Sequence, residues 1–541
     1  MTPTGYFAED FPALSSVGVG DEAGIQPAIV ADEVSPTVQQ DSSDKVESKS
    51  ARNSDTREND SRPGSFESME PGDASGVGKP QPDNSDDLDL AVVIESVHQF
   101  YPMVQAALLQ QQVADGNQLA AWGAFDTKLK ASSENRPLGF YETYRNQAGF
   151  NQPLYQGGEV FGGYRNGGGS FPPWYKERET NDGGEFKAGV RVPLVRDRNI
   201  DERRAELWRA TYEQQMADPF VRATLIDFTA EAGMAYWKWV AAGQKYDVGE
   251  QWLEFARGRN DQIRTRVEAE DLDPPELIDN ERAIAKREAK LAESRRELQQ
   301  AAVKLSLFLR NAAGQPVIPS DDQQPEFPPL YDPDRSQLPA DILAAQAARP
   351  ELVTLNLQLQ QLQVDLAEAC NMTRPGLDAQ VVGSQDVGEP TSSKRDKSEF
   401  ELEAGLFFDV PLQRRKGRGK MFAVRAKIAQ TMAKQRLLND KIAADVQSAY
   451  AGLEQSRLEV LKAREAVRLA SQMADIERRR FELGDSDLLK VALREQYALE
   501  AAEEEISATL NYFQQLTLYA ATMAIDRPGL WLLNRDLPAS E

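Results

Sequence analysis

The chain has 541 residues with 86 acidic and 62 basic side chains, a net charge of −24, and a single histidine and cysteine. That field repels a phosphate backbone, so no nucleic-acid partner is expected. Cys370 alone excludes an internal disulfide and Cys-based metal sites, and His98 alone removes His-cluster metal sites and makes a Ser-His-Asp triad improbable.

The first 90 residues hold nineteen acids against six bases, and residues 1–87 have few aromatics and much Ser, Pro and Gly. Such a stretch buries too little apolar surface to offset its chain entropy, and it reads as a disordered acidic tail. Met1 to Val30 shows no basic stretch followed by an apolar one, so no secretion signal is visible, and no run of 18 apolar residues predicts a transmembrane helix.

Leu88 to Trp122 reads as helical with a break at Pro102. Phe125, Thr127, Leu129 and Ala131 then alternate with charged residues, as a strand would. The Gly- and aromatic-rich segment 136–184 reads as an insertion of loops, with room for one hairpin turning at Gly157-Gly158. Phe186, Ala188, Val190 and Val192 mark a strand that ends in Val192-Pro193-Leu194. A helix follows from Asp201 to about Ala269, with Pro219 at a tolerable restart position, then a turn at Asp271 to Pro275 and a return helix to Asn311. Seven prolines make 314–340 an irregular linker.

The order then recurs. A helix begins at Pro350, one strand carries Leu377, Ala379 and Val381, and another sets Phe400, Leu402, Ala404, Leu406, Phe408 and Val410 against Glu399, Glu401, Glu403 and Asp409. That strand also ends in Val-Pro-Leu, and basic residues open the long helix in both cases, Arg196 to Arg204 and Arg414 to Lys427. The second long helix, about Lys416 to Leu483, has heptad seams through Val446, Leu453, Val460, Val467, Ala474 and Phe481 and through Ile442, Ala449, Ser456, Ala463 and Ala470. After a turn at Gly484 to Asp487, rows of Leu499, Ile506 and Phe513 and of Ala502, Thr509 and Leu516 return to Thr522. The chain is therefore read as a duplication: first repeat 88–313, second repeat 341–524, and a C-terminal tail 525–541.

The ordered set of helix, strands ending in Val-Pro-Leu, basic helix start and the tip sequence from Phe481 to Leu516 resembles the TolC-like outer-membrane efflux proteins. The resemblance implies a mainly α fold with β: duplicated long hairpins forming a helical tunnel, plus short strands that join those of two other copies in one transmembrane β-barrel. It implies a homotrimer, outer-membrane lipid around the barrel, a periplasmic extension, and a periplasmic adaptor and inner-membrane transporter as partners for efflux or type I secretion. No enzyme activity or cofactor is expected. A strand with one apolar and one acidic face suits such a wall, with Glu399, Glu401, Glu403 and Asp409 toward the lumen. Two strands per repeat make four per chain, too few to close a pore alone. Phe171, Trp174 and Tyr175 suit either an interfacial girdle or ordinary loop packing.

The tunnel mouth departs from the resemblance. The family often carries acids one turn apart past the second tip, where this chain has Lys490 and Leu493. The first tip keeps Asp279, close to Glu276. Asp485 and Asp487 suit helix capping or a docking role, and Lys490 either pairs with Asp279 or Glu276 of a neighbouring hairpin or is a solvated lysine. The alternative function is a soluble coiled-coil scaffold without a barrel.

Overall fold

Two helical hairpins dominate the chain. Helix α3 (Glu202–Glu268) has 67 residues and returns as α4 (Pro274–Leu305), while α7 (Arg415–Glu482) has 68 and returns as α8 (Leu488–Thr522). At 1.5 Å per residue each long helix spans about 100 Å. The computed structural model describes residues 87–172, 178–391 and 397–527. The expected acidic tail up to 86, the tail beyond 527, and Trp174 and Tyr175 lie outside them.

The heptad seams are buried over most of their length, with Ala463, Val467, Ala470, Phe481, Leu499 and Ala502 only half-buried. Ile442, Val446, Ala449, Leu453, Ser456, Val460 and Ala474 are buried, and they meet Ile506, Thr509, Phe513 and Leu516 of α8. Leading into the hairpins are two shorter helix pairs, α1 (Leu90–Phe100) with α2 (Pro102–Trp122), and α5 (Leu338–Ala348) with α6 (Pro350–Asn371). In both pairs a proline occupies the first turn of the second helix, where its missing N–H costs nothing. Pro219 does not interrupt α3. It removes the donor for the carbonyl of Gln215, an exposed residue whose carbonyl water can serve, so the helix runs through where the sequence reading had it restart.

Six strands form one antiparallel sheet in chain order: β1 (Lys128–Arg136), β2 (Thr143–Pro153), β3 (Glu159–Gly169), β4 (Glu185–Pro193), β5 (Gly376–Asp386) and β6 (Glu401–Asp409). This corrects the expected four. The insertion that reads mostly as loops is a regular hairpin, turning at Gly157 and Gly158, whose φ of 101° and 86° only glycine adopts without strain. Phe125 is not in the first strand. It closes a short 3₁₀ turn and is buried against Trp122 and Tyr155.

The core lies where the hairpins, α1 and the proline-rich segment meet. That segment is irregular, as expected, yet it is a packed strap rather than a linker. Phe327 stacks on Phe513 with ring centroids 5.2 Å apart, and Trp237 covers Phe513 at 4.4 Å. Buried tyrosines of the helices tie the strap's backbone: Tyr450 Oη donates to Pro333 O at 3.2 Å and Tyr512 Oη to Tyr331 O at 2.8 Å. Tyr236 of α3, which follows an alanine as Tyr450 does on α7, donates to Leu88 O at 2.8 Å, and burial pushes its phenol well up. Cys370 is half-buried.

Candidate functional site: a two-faced sheet and paired hairpin tips

Register decides which side chains share a face of the sheet. One perpendicular row runs Leu129, Phe150, Gly162, Ala188, Gly383, Leu402, and the next ones through Val190, Val381, Ala404 and Val192, Ala379, Leu406. Around these rows the face is apolar on all six strands, with Ser133, Asn146, Gln152, Asn166 and Gln385 among its polar exceptions, and it is bare: Leu129 is 84% exposed, Leu402 68% and Leu406 72%. A soluble protein does not leave such a surface in water. The opposite face carries Lys128, Asn151, Gln147, Arg165, Glu185, Lys187, Arg191, Gln380, Ser384, Glu401 and Glu403 in the alternate rows. Phe161, Val382 and Phe407 are its apolar exceptions, with Arg191 lying over the Phe407 ring at 5.8 Å.

Three arginines of the polar face are neutralised across strands. Arg145 pairs with Glu134, Arg165 with Glu185, and Arg191 with Asp378 at 2.6 Å. Asp409 ends β6 on the same face as Glu401 and Glu403, where Arg196 holds it through two bonds of 2.8 and 3.0 Å. Glu399 falls two residues before the strand begins, in a bend, so its place is at the rim rather than in the wall. Phe171 is buried, which makes it loop packing. β1 and β6 are the edges of the sheet, each with an unpaired row of backbone groups.

Below the sheet, part of the basic helix start serves as scaffolding. Arg204 caps its own turn through Asp201 at 3.1 Å and the Arg198 carbonyl at 2.8 Å. Arg209 of α3 and Lys420 of α7 both grip Glu368 of α6, at 2.8 and 3.0 Å. Burial alone would raise that carboxyl, but the two cations outweigh it and hold it below the usual glutamate range. Gly417 lets α7 start against α6, because a Cβ there would lie 2.7 Å from Thr373 Cγ2.

At the far end of each long helix, the expected tip residues Asp279, Asp485, Asp487 and Lys490 are exposed, while Glu276, in the first turn of α4, is half-buried. Asp279 pairs within its turn with Arg282 at 3.3 Å. Asp485 pairs with Arg480 at 3.1 Å. Asp487 caps α8, accepting from Lys490 N at 2.8 Å, and Lys490 Nζ lies 2.9 Å from the same carboxylate. Among the described residues, then, Lys490 pairs inside its own turn and with neither Asp279 nor Glu276.

Near the tips the hairpins are joined by a contact the sequence reading missed. Glu495 of α8, 3% exposed, is surrounded by Arg259 of α3 at 2.7 Å, Arg287 of α4 at 3.2 Å and Arg478 of α7 at 3.6 Å. Beside it Asn280 donates to Asn260 Oδ1 at 2.9 Å and accepts from Arg259 Nε at 3.2 Å. The Arg259 contact is a close charge pair without hydrogen-bond direction, as Nη1 and Nη2 of that guanidinium have no directed partner. Burial holds the Arg287 guanidinium below its usual range, with Glu495 opposing. Extending the row Ala502, Thr509, Leu516 back by seven residues lands on Glu495, so a charge at a core position was the available signal. Among the described residues there is no cluster of His, Cys, Asp and Glu suited to a metal, and no helix long and apolar enough to cross a membrane.

No protein-family model matches the sequence, and the search of curated proteins returns no relative. Solved structures do match. The outer membrane protein VceC of Vibrio cholerae aligns with a TM-score of 0.58 at 14% identity, covering 80% of this chain and 96% of that one. The CmeC outer membrane channel of Campylobacter jejuni gives 0.56 at 12% identity over 82% and 86%, and the open MtrE outer membrane channel of Neisseria gonorrhoeae 0.55 at 15% over 80% and 88%. At these identities it is the architecture that is shared, from the sheet through both hairpins. The chain has the fold of the TolC-like outer-membrane channels.

Proposed function

We propose that the protein is one subunit of a trimeric outer-membrane channel whose hairpins extend as a tunnel into the periplasm, serving efflux or type I secretion together with an inner-membrane transporter and its adaptor. The observation that carries this reading is the sheet: an apolar face continuous over six strands, a polar face behind it, and two open edges. In hydrocarbon a β structure must close on itself to satisfy its backbone, and six strands are too few to enclose a pore. Further copies joined edge to edge supply the closure. The lipid side is then Leu129, Phe150, Ala188, Val190, Leu402 and Leu406, and the lumen side holds Glu401, Glu403 and Asp409.

In this reading the chain is a passive duct and not an enzyme. The exposed tips around Asp279 and Asp487 are the surface for the adaptor, and the Glu495 cluster holds the two hairpins of one subunit together there. Fractionation tests it directly. The protein should sediment with outer membranes, migrate as a trimer when unheated and as a monomer when boiled, and conduct ions in planar bilayers. Recovery as a soluble monomer would return the chain to the coiled-coil scaffold reading.

A further inference from the structure

The two halves of the chain match element for element, except at β2 and β3. α1 and α5 each have 11 residues, α2 and α6 have 21 and 22, α3 and α7 have 67 and 68, and α4 and α8 have 32 and 35. β1 follows α2 as β5 follows α6, and β4 and β6 each run into a Val-Pro-Leu. β2 and β3 are therefore the added pair.

They are not an appendage to the sheet. They lie between β1 and β4, and β2 is paired over its whole length, from Thr143↔Gly169 to Pro153↔Glu159 on one side and from Lys128↔Asn151 to Arg136↔Thr143 on the other. Over their middle they keep the two-faced pattern: Ala148, Phe150 and Tyr164 fall on the apolar face, Gln147, Asn151 and Arg165 on the polar one, with Asn146, Gln152 and Asn166 toward the strand ends and Phe161 as the exceptions. A hairpin standing outside the wall would have no need of that alternation.

We infer that the β2–β3 hairpin is an expansion of the channel wall, giving eighteen strands in a ring of three where the bare duplication would give twelve, and that it sizes the outer pore for bulky, solvated cargo such as polypeptide. The inference rests on the channel reading above. Barrel diameter grows about linearly with strand number, so the added strands widen the pore by about one and a half times and its cross-section by about twofold. The number of hairpins is untouched, so the widening is confined to the barrel and makes an outer vestibule. Its wall suits a large cargo chemically as well. Arg145, Arg165 and Arg191 are each neutralised by an acid on the same face, and Lys128, Lys187, Glu401 and Glu403 add charges of both signs beside them, so the wall does not reject a chain that carries both signs.

Three measurements test this on the full chain. Electron cryomicroscopy in lipid nanodiscs should count eighteen strands; a twelve-strand wall with the hairpin folded outside it overturns the inference. In a Cys370→Ser background, Gln147→Cys should react with a membrane-impermeant maleimide and Ala148→Cys should be protected by lipid at least tenfold; equal labelling overturns it. Deleting 143–169, whose flanks already meet through Ser170 N–H donating to Glu142 O at 2.7 Å, should keep the membrane trimer. Polymer exclusion measured from the barrel side of a planar bilayer should then fall by about one third in limiting diameter. A trimer with an unchanged limit overturns the inference. An intact chain that forms no membrane trimer overturns the channel reading itself, a separate result seen before any variant is made.

Discussion

Glu495 of α8 and Arg259 of α3 meet at 2.7 Å across the seam between the two hairpins, the carboxylate 3% exposed and the guanidinium 10%. With Arg287 also on that carboxylate, one acid compensates two buried cations, while Arg478 at its rim lies closer to Asp475, at 3.1 Å. Glu495→Gln should therefore cost about 3–5 kcal/mol, because it strands buried charge rather than removing a surface pair. Thermal melts should show the loss, and hydrogen exchange should place it in the outer third of α3, α4, α7 and α8. A surface-sized loss under about 1 kcal/mol would show that the hairpins are held elsewhere.

The two faces of β6 should respond oppositely to the same substitution. Leu402→Arg puts a cation on the apolar face and should lower stability by about 2–4 kcal/mol if the residue lies near the bilayer midplane. Glu401→Arg, one residue away on the polar face, should leave assembly intact and shift ion selectivity toward anions. Equal tolerance at both positions, measured by unheated gel migration and reversal potential, contradicts the barrel assignment.

Acid should loosen the junction between sheet and hairpins through Glu368. Its carboxyl titrates below the ordinary glutamate range because Arg209 and Lys420 outweigh its burial. A depressed acid stabilises the fold above its unfolded pKa of about 4.3 and stops doing so as pH falls through the lower folded value. The difference in melting temperature between wild type and Glu368→Gln should accordingly be constant from neutral pH down to about 5 and shrink below about 4. A difference that grows with acidification reverses the sign and rejects the assignment.

At the second tip, Asp487→Ala should fray the start of α8, as it removes the cap on Lys490 N, and amide hydrogen exchange should speed up in the first turn of α8. Lys490→Glu keeps the cap but sets like charges together, and should cost less than about 1 kcal/mol because the pair is exposed. If Lys490→Glu nonetheless raises single-channel conductance, the lysine also engages an acid of a neighbouring subunit.

Much of this architecture is written in the sequence where apolar periodicity is strong. The seams from Ile442 to Ala474 need only a count by sevens, and Val-Pro-Leu marks both exits from the sheet. β2 and β3 are hidden because alternation is carried by glycine. At Gly149, Gly162 and Gly163 there is no side chain to announce a face; Gly149 and Gly163 pair with each other, and Gly162 is given its face only by pairing with Phe150. The strap is hidden for another reason: its prolines report the absence of regular structure and say nothing of whether Phe327 and Tyr331 are packed. Glu495 looks like one more acid on a charged helix until its register is carried back along the return row.

The ladder between β4 and β5 has a kinetic consequence. Its partners, from Pro193↔Asp378 to Glu185↔Asp386, lie roughly 190 residues apart along the chain. At ribosomal speeds of about 5–20 residues per second, β4 waits about 10–40 s for its neighbour to be made. Through that interval the apolar face of four strands and an open edge are both on show, which is the surface a holding chaperone would recognise and the one most prone to aggregate.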